Sequence, residues 1–96
     1  LGVLKAGGIA VTTMPMLRAG EIAVILERSQ ASHAIVDARC MEDFTPASAD
    51  APALRSTLNY DGDQGTGALE RRAAAAAPGF AAVGTRADDV ALIAFT

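Results

Sequence analysis

The chain has 96 residues, enough for one small domain with a limited hydrophobic core. Apolar residues make up 51% of the sequence, but aromatic residues make up only 4% and alanine is abundant, so we expect marginal stability. Eight basic and eleven acidic side chains give a net charge of −3 and form no basic stripe, so the charge balance offers no support for nucleic-acid binding.

The amino-terminal stretch predicts the end of a helix followed by a buried strand. Residues 1–6 have the composition of the last turns of a helix, and Gly7 and Gly8 end it because glycine takes a positive φ without steric cost. Residues 9–11 then form a short apolar strand. Pro15 holds the residue before it in an extended conformation, so the chain should leave this strand without starting a helix at once.

The next stretch predicts a helix, a strand and a second, shorter helix. Apolar and small side chains recur at the spacing of one helix face, which indicates a helix over residues 19–28 with an inward stripe. The stripe consists of Ile22, Ile25, Leu26 and Ser29. Residues 33–36 form the second strand. Asp37 ends that strand and can cap a short helix over residues 38–44.

The following stretch predicts a loop, an edge strand and an alanine-rich helix. Two prolines within residues 45–52 interrupt any helix there, so we expect a loop. Polar and apolar residues alternate over residues 54–60, which is typical of a half-exposed strand at a sheet edge. Residues 61–67 are rich in glycine and predict a flexible loop. The helix follows over residues 68–77 and ends at a Pro-Gly pair.

The last strand completes the predicted fold. Residues 90–95 are an unbroken apolar run, as a strand buried on both faces requires. Helices between strands predict an α/β fold with a mostly parallel βαβ sheet and right-handed crossovers. With the alternating strand at the edge, the strand order is third, second, first, fourth. The first and fourth strands are then neighbours, and the crevice at their carboxyl ends, beside Thr12, Thr13 and Met14, is the expected ligand site.

No single polar residue predicts a convincing active site. His33 has no second histidine or cysteine as a fellow metal ligand, and Cys40 has no neighbouring base, so we interpret both as structural. Asp37 fits either a phospho-acceptor or a helix cap, and the lack of an acidic pair at the end of the first strand favours the cap. Asp88 and Asp89 fit either a metal-binding pair or a solvated strand entry, and the apolar run after them favours the entry.

Three other features have ordinary explanations. The loop over residues 61–67 lacks the lysine and the glycine spacing of a phosphate-binding P-loop. Lys5 lies near a helix carboxyl end, where a positive charge complements the helix dipole. Arg71 and Arg72 belong to a solvated helix face.

Cysteine content and hydropathy bear on the cellular compartment. Cys40 is the single cysteine, which excludes a disulfide framework and a thiolate metal cluster. No stretch has the length of a membrane span or the build of a signal peptide. We therefore expect a cytoplasmic protein with neither a membrane nor a nucleic acid as a partner.

Four stretches taken in order resemble one known family. Residues 4–11 read Leu-Lys-Ala-Gly-Gly-Ile-Ala-Val, residues 17–22 Leu-Arg-Ala-Gly-Glu-Ile, residues 35–37 Ile-Val-Asp and residues 88–96 Asp-Asp-Val-Ala-Leu-Ile-Ala-Phe-Thr. This series resembles the adenylate-forming, or AMP-binding, enzymes, which include acyl- and aryl-CoA synthetases, peptide-synthetase adenylation domains and luciferases. The run over residues 12–19 resembles the CoA ligases for aromatic acids such as benzoate and aminobenzoate.

The resemblance implies a fragment of a ligase. Residues 1–96 are then a partial AMP-binding domain of the N-terminal lobe, cut at both ends. In such an enzyme ATP and a carboxylic acid, aromatic in that subgroup, give an acyl-adenylate and pyrophosphate while Mg²⁺ holds the phosphates, and CoA then displaces AMP. Thr96 matches the first hydroxyl residue of the phosphate-gripping loop, which implies a contact with an ATP phosphate or Mg²⁺. None of the family's catalytic positions falls earlier in the chain.

One departure and two alternatives accompany this resemblance. Arg18 stands where relatives often have a threonine that caps the following helix. The thiol acceptor could be a carrier protein instead of CoA, as in an adenylation domain. A free-standing, non-catalytic α/β binding module is the alternative outside enzymes. The 96 residues by themselves are expected to be inactive, and a true small domain would melt cooperatively where a cut piece would pack weakly.

Overall fold

The computed structural model of the chain describes residues 1–95. In chain order the elements are helix α1 (Gly2–Lys5), strand β1 (Ala10–Thr12), helix α2 (Ala19–Ser29), strand β2 (His33–Asp37), a 3₁₀ turn (Ala38–Cys40), helix α3 (Met41–Ser48), strand β3 (Ser56–Tyr60), helix α4 (Ala68–Ala75) and strand β4 (Leu92–Ala94). The elements form two compact units. Unit 1 combines residues 1–13 with the segment from residue 77 onward, and unit 2 is Met14–Ala76.

Unit 1 contains a parallel pair of short strands. Strand β1 pairs with strand β4, with Ala10 opposite Leu92 and Thr12 opposite Ala94. The predicted neighbourhood of the first and last strands is therefore confirmed. Helix α1 ends where predicted, at Gly7, which has a φ of +81°. A Cβ on Gly7 would lie 3.1 Å from a methyl carbon of Val83, so glycine satisfies both the backbone conformation and the close packing.

The prediction that the last strand is buried on both faces is wrong. Val90 is 60% exposed and Leu92 is 55% exposed, and the strand covers fewer residues than its apolar run. The described part of unit 1 supplies one strand neighbour and one short helix, which is too little to cover both faces of β4.

Unit 2 holds the hydrophobic core. Strands β2 and β3 pair in parallel from His33 opposite Ser56 to Asp37 opposite Tyr60. Helix α2 packs against helix α3. Within its predicted stripe, Leu26 is buried and the other three members are half-buried. Leu26 packs with Val36 and Phe44 to form the centre of the core. Among residues 1–95 four hydrophobic residues are buried, each with 6–8% of its surface exposed, so the core is small.

The predicted loop over residues 45–52 is wrong in its first half, because helix α3 continues through Pro46 to Ser48. The residues on either side of Pro46 explain the continuation. Phe44 and Ala47 are buried, and burial of apolar side chains offsets the hydrogen bond that a proline inside a helix removes.

The predicted single sheet is also corrected. The described strands form two two-stranded parallel sheets, β1–β4 and β2–β3, instead of one sheet of four strands. The α/β class, the parallel pairing and the β2–β3 and β1–β4 neighbours are as predicted, whereas the predicted β1–β2 pair does not form. The predicted order required β1 to pair along both of its edges, and a strand of three residues gains few ladder hydrogen bonds from a second neighbour.

Candidate functional site

The carboxyl edge of the β1–β4 sheet is the first candidate site. Parallel strands end at the same edge, and ligands of open α/β sheets bind outside the carboxyl ends of the strands. Thr12, opposite Ala94, and the adjacent Thr13 place two exposed residues with hydroxyl groups at this edge. The chain runs from β4 through half-buried Phe95 toward Thr96. Thr96 lies outside the described residues, so its phosphate contact stays a prediction.

A tight turn and one strand bond fix the start of β4. The backbone N–H of Arg86 donates to Oδ2 of Asp89 at 2.8 Å, and the N–H of Asp89 donates back to the carbonyl of Arg86 at 3.2 Å. The N–H of Ala10 then donates to the carbonyl of Ala91 at 2.9 Å. Asp89 is therefore part of a closed turn at the entry to the strand. This is the interpretation that the sequence favoured, in preference to a metal-binding pair.

An open groove lies at the opposite edge of the same sheet. It is lined by Gly8 and Ile9 before β1 and by Val90 and Ala91 before β4. These residues precede their strands, so the groove marks the amino edge of the sheet. The ligand position expected for a parallel sheet is at the carboxyl edge, and the groove does not coincide with it.

The carboxyl edge of the β2–β3 sheet carries a charged pair. Asp37 ends β2, and its carboxylate accepts hydrogen bonds from the backbone N–H, Nε and Nη2 of Arg39. The Arg39 hydrogen bonds lower the pKa of Asp37 to about 2. Asp37 thus caps the 3₁₀ turn, which confirms the cap interpretation. Arg39 was not predicted as the partner of Asp37, although the two residues lie two positions apart in the chain.

The loop over residues 61–67 is held by a carboxylate whose role was not predicted from the sequence. Glu70, in the first turn of α4, accepts hydrogen bonds from the backbone N–H groups of Asp61 and Gly67. Oδ1 of Asn59 accepts from the N–H of Ala68. These side chains occupy donors at the start of α4 that an anion would otherwise use. The Gly-x-x-Glu spacing, similar to that of a capping box, was the available signal.

The remaining candidates occupy ordinary positions. His33 is exposed at the start of β2, and its Nδ1 lies 2.8 Å from Oγ of Ser56 on the neighbouring strand. Cys40 is half-buried, with its thiol 3.9 Å from the carbonyl oxygen of Pro15. Arg71 and Arg72 are exposed, as expected for a solvated helix face. Among residues 1–95, no group of three or more His, Cys, Asp or Glu side chains could hold a metal ion.

Arg18, at the N-cap of α2, makes no side-chain cap hydrogen bond. Its backbone N–H donates to Oε2 of Glu21 at 3.0 Å, which is the half of a capping box that does not depend on the side chain at position 18. Nη1 of Arg18 also lies 3.4 Å from Oδ2 of Asp43 on α3. The Arg18 side chain is 82% exposed, so this ion pair contributes little to stability.

No helix within the described residues is long and apolar enough to cross a membrane.

Comparison with known proteins gives one result that covers the whole chain. The family model described as "AMP-binding enzyme" matches residues 1–96. No curated protein and no solved structure matches the chain significantly. The family match includes both strands of unit 1 and all of unit 2, so it agrees with the parallel α/β architecture of both units.

Proposed function

Because the chain belongs to the AMP-binding enzyme family, we propose that it serves an ATP-dependent, AMP-forming ligase that activates a carboxylic acid and transfers it to CoA. The acid and ATP give an acyl-adenylate and pyrophosphate, and the CoA thiol then displaces AMP. A carboxylate is a poor electrophile, whereas a mixed anhydride with AMP carries a good leaving group. The family match over residues 1–96 is the observation that carries this proposal.

The local geometry of unit 1 supports a phosphate-binding role for the segment that follows β4. Its parallel sheet brings the carboxyl ends of β1 and β4 to one edge, where nucleotide phosphates bind in open α/β sheets. Thr12 and Thr13 are exposed there, and their hydroxyl groups are suitable hydrogen-bond donors to phosphate oxygens. We assign Thr96 a contact with an ATP phosphate.

Mg²⁺ accompanies ATP in the proposed reaction. Residues 1–95 contain no group of three or more His, Cys, Asp or Glu side chains that could hold a metal ion. In nucleotide sites Mg²⁺ is held mainly by substrate phosphates and waters, so the proposal places it on the ATP phosphates, with Thr96 as the contact from this chain.

The acid and the compartment are further parts of the proposal. The run over residues 12–19 supports an aromatic acid, such as a benzoate, as the substrate. The lone Cys40 supports a reducing compartment and hence the cytoplasm. A carrier protein is the alternative thiol acceptor, and it shares the first half-reaction with a CoA ligase.

The first experiment is to sequence the source DNA beyond the codon for Thr96. The resemblance implies that the phosphate-gripping loop continues after Thr96 as Ser-Gly-Thr-Thr-Gly with a lysine soon after it, and the proposal expects this sequence in frame. A stop codon directly after Thr96 would overturn the ligase proposal for this product and leave a small binding module. The protein from the complete open reading frame is then assayed for acid-dependent exchange between ATP and pyrophosphate, with benzoate, 2-aminobenzoate, acetate and decanoate as acids.

The role of Thr96 is tested in the same assay. Replacing Thr96→Ala should lower the exchange rate by about 10²-fold, the usual effect of removing one donor to a developing charge. Thr96→Ser keeps the hydroxyl and should retain most activity. Thr45→Ala, at an exposed position on α3, is the control. Equal activity of the Ala and Ser variants at position 96 would refute the assignment.

A second assay distinguishes the two thiol acceptors. Release of AMP on addition of CoA supports a CoA ligase, whereas release only on addition of a phosphopantetheinylated carrier supports an adenylation domain.

A further inference from the structure

The segment that leads into β4 is held at two points. Upstream, the backbone N–H of Val83 donates to the carbonyl of Lys5 at 2.8 Å, which ties the segment to the end of α1. Downstream, the N–H of Ala10 donates to the carbonyl of Ala91 at 2.9 Å, which begins the β1–β4 ladder. The intervening residues are exposed, so backbone hydrogen bonds and not burial set the path between these two points.

Within that segment the turn from Arg86 to Asp89 is closed from both sides. The N–H of Asp89 donates to the Arg86 carbonyl at 3.2 Å, as in an ordinary β-turn. The side chain of Asp89 adds the reverse bond by accepting the Arg86 N–H at 2.8 Å. A charged acceptor makes the stronger kind of hydrogen bond, so the carboxylate defines the turn more firmly than the backbone bond alone.

The adjacent aspartate does not share this role. Oδ1 of Asp88 lies 3.3 Å from Nε of Arg86, and the two side chains are 76% and 80% exposed. An ion pair so open to solvent contributes little to conformation. Asp88 and Asp89 therefore contact the same arginine in different ways, one at its solvated guanidinium and the other at its backbone N–H.

We propose that Asp89 is a positioning residue for adenylation, which fixes the start and register of β4 so that the residues after Phe95 reach the ATP phosphates. This inference rests on the proposed function. Strand β4 is short, with three residues from Leu92 to Ala94, so a shift where it begins is passed to its carboxyl end. A change of about 1 Å in the position of a reacting group is enough to lower a rate strongly.

The test compares four proteins made from the complete open reading frame: the unsubstituted protein, Asp89→Ala, Asp89→Asn and Asp88→Ala. Asn keeps an oxygen that can accept the Arg86 N–H, whereas Ala does not. We expect Asp89→Ala to reduce kcat/KM for ATP by about tenfold in the exchange assay. We expect KM for the acid and the thermal midpoint to stay unchanged. We expect Asp88→Ala to resemble the unsubstituted protein, and Asp89→Asn, which keeps a neutral acceptor, to lose less activity than Asp89→Ala.

Amide hydrogen exchange of Ala10 gives a readout that does not depend on activity. Its N–H is bonded across the ladder to Ala91, so loss of the β4 register should accelerate its exchange in Asp89→Ala and not in Asp88→Ala. Equal Ala10 exchange in Asp89→Ala and Asp89→Asn would overturn the positioning role. The positioning role would also be overturned if Asp89→Ala impaired kcat/KM for ATP and KM for the acid equally, because that pattern indicates general unfolding. If the unsubstituted protein shows no exchange between ATP and pyrophosphate, the proposed function is refuted. The amide hydrogen exchange of Ala10 would still decide the role of Asp89 in placing β4.

Discussion

The carboxylate of Asp37 accepts three hydrogen bonds from one residue, Arg39. The backbone N–H donates to Oδ1 at 2.9 Å, Nε donates to the same oxygen at 3.0 Å, and Nη2 donates to Oδ2 at 2.7 Å. The guanidinium bonds, followed by the backbone bond, hold the pKa of Asp37 at about 2, below its usual value of 3.8. This pair closes the carboxyl end of β2 and starts the 3₁₀ turn that leads into α3.

The first prediction concerns stability in acid. Because the folded-state pKa of Asp37 lies below the unfolded value, its contribution is complete above pH 3.8 and is lost as the pH falls toward about 2. Asp37→Asn should therefore be less stable than the unsubstituted chain at neutral pH, and the difference should shrink across that window. Urea titrations at a series of pH values, followed by circular dichroism, measure this difference.

Asp50→Asn is the matched control, since Asp50 is exposed and lies two residues beyond the end of α3. Its difference from the unsubstituted chain should vary little over the same range of pH. A constant difference for Asp37→Asn would contradict the assigned linkage.

The second prediction concerns Glu70 and the loop over residues 61–67. Its carboxylate accepts the N–H of Asp61 at 3.0 Å and the N–H of Gly67, and Glu70 is half-buried. Glu70→Ala should lower the free energy of unfolding of unit 2 by about 1–3 kcal/mol, because it leaves donors unpaired. Glu70→Gln should cost less since it keeps one acceptor. Urea titration measures the loss, and Glu27→Ala, at an exposed position of α2, is the control; an equal loss in both would contradict the prediction.

The third prediction distinguishes space from backbone conformation at Gly67. Its φ of −68° and ψ of 170° suit any residue. A Cβ there would nevertheless lie 2.6 Å from Cα of Tyr60 and 2.8 Å from the carbonyl oxygen of Asn59. Gly67→Ala should therefore destabilise unit 2 by about 1–3 kcal/mol. Gly62→Ala, in the same loop and with open space around it, should cost far less in the same titration, and similar losses would show that crowding is not the cause.

Periodicity and chain order predicted the elements and two of the three strand pairs. Alternation over residues 54–60 marked an edge strand, and this placed β3 beside β2 and β1 beside β4, whereas the predicted pairing of β1 with β2 does not form. The helix-face spacing likewise identified Leu26 as a core residue. At the site, the same reasoning placed Thr12 and Thr13 at the carboxyl edge of a parallel pair.

The details that escaped prediction depend on contacts between side chains and backbone. Glu70 is an ordinary surface residue by type, and its role follows from two N–H groups that the fold brings to it. The apolar run at residues 90–95 predicted burial that the neighbours in unit 1 do not supply. Hydrophobicity indicates what a strand needs, but exposure depends on which elements surround it.

The fourth prediction concerns Pro46, which lies in the stretch that was predicted to be a loop and is part of helix α3. Proline inside α3 has no N–H to donate to the carbonyl of Glu42, one turn earlier, and the helix continues because Phe44 and Ala47 are buried. Pro46→Ala should restore that bond and raise the free energy of unfolding of unit 2 by about 1–2 kcal/mol, after allowance for the greater freedom of the unfolded chain. Pro52→Ala, beyond the helix, gains no helical bond and should be slightly destabilising. A loss of stability in Pro46→Ala, measured by the same urea titration, would show that the proline ring and not the surrounding burial holds this helix together.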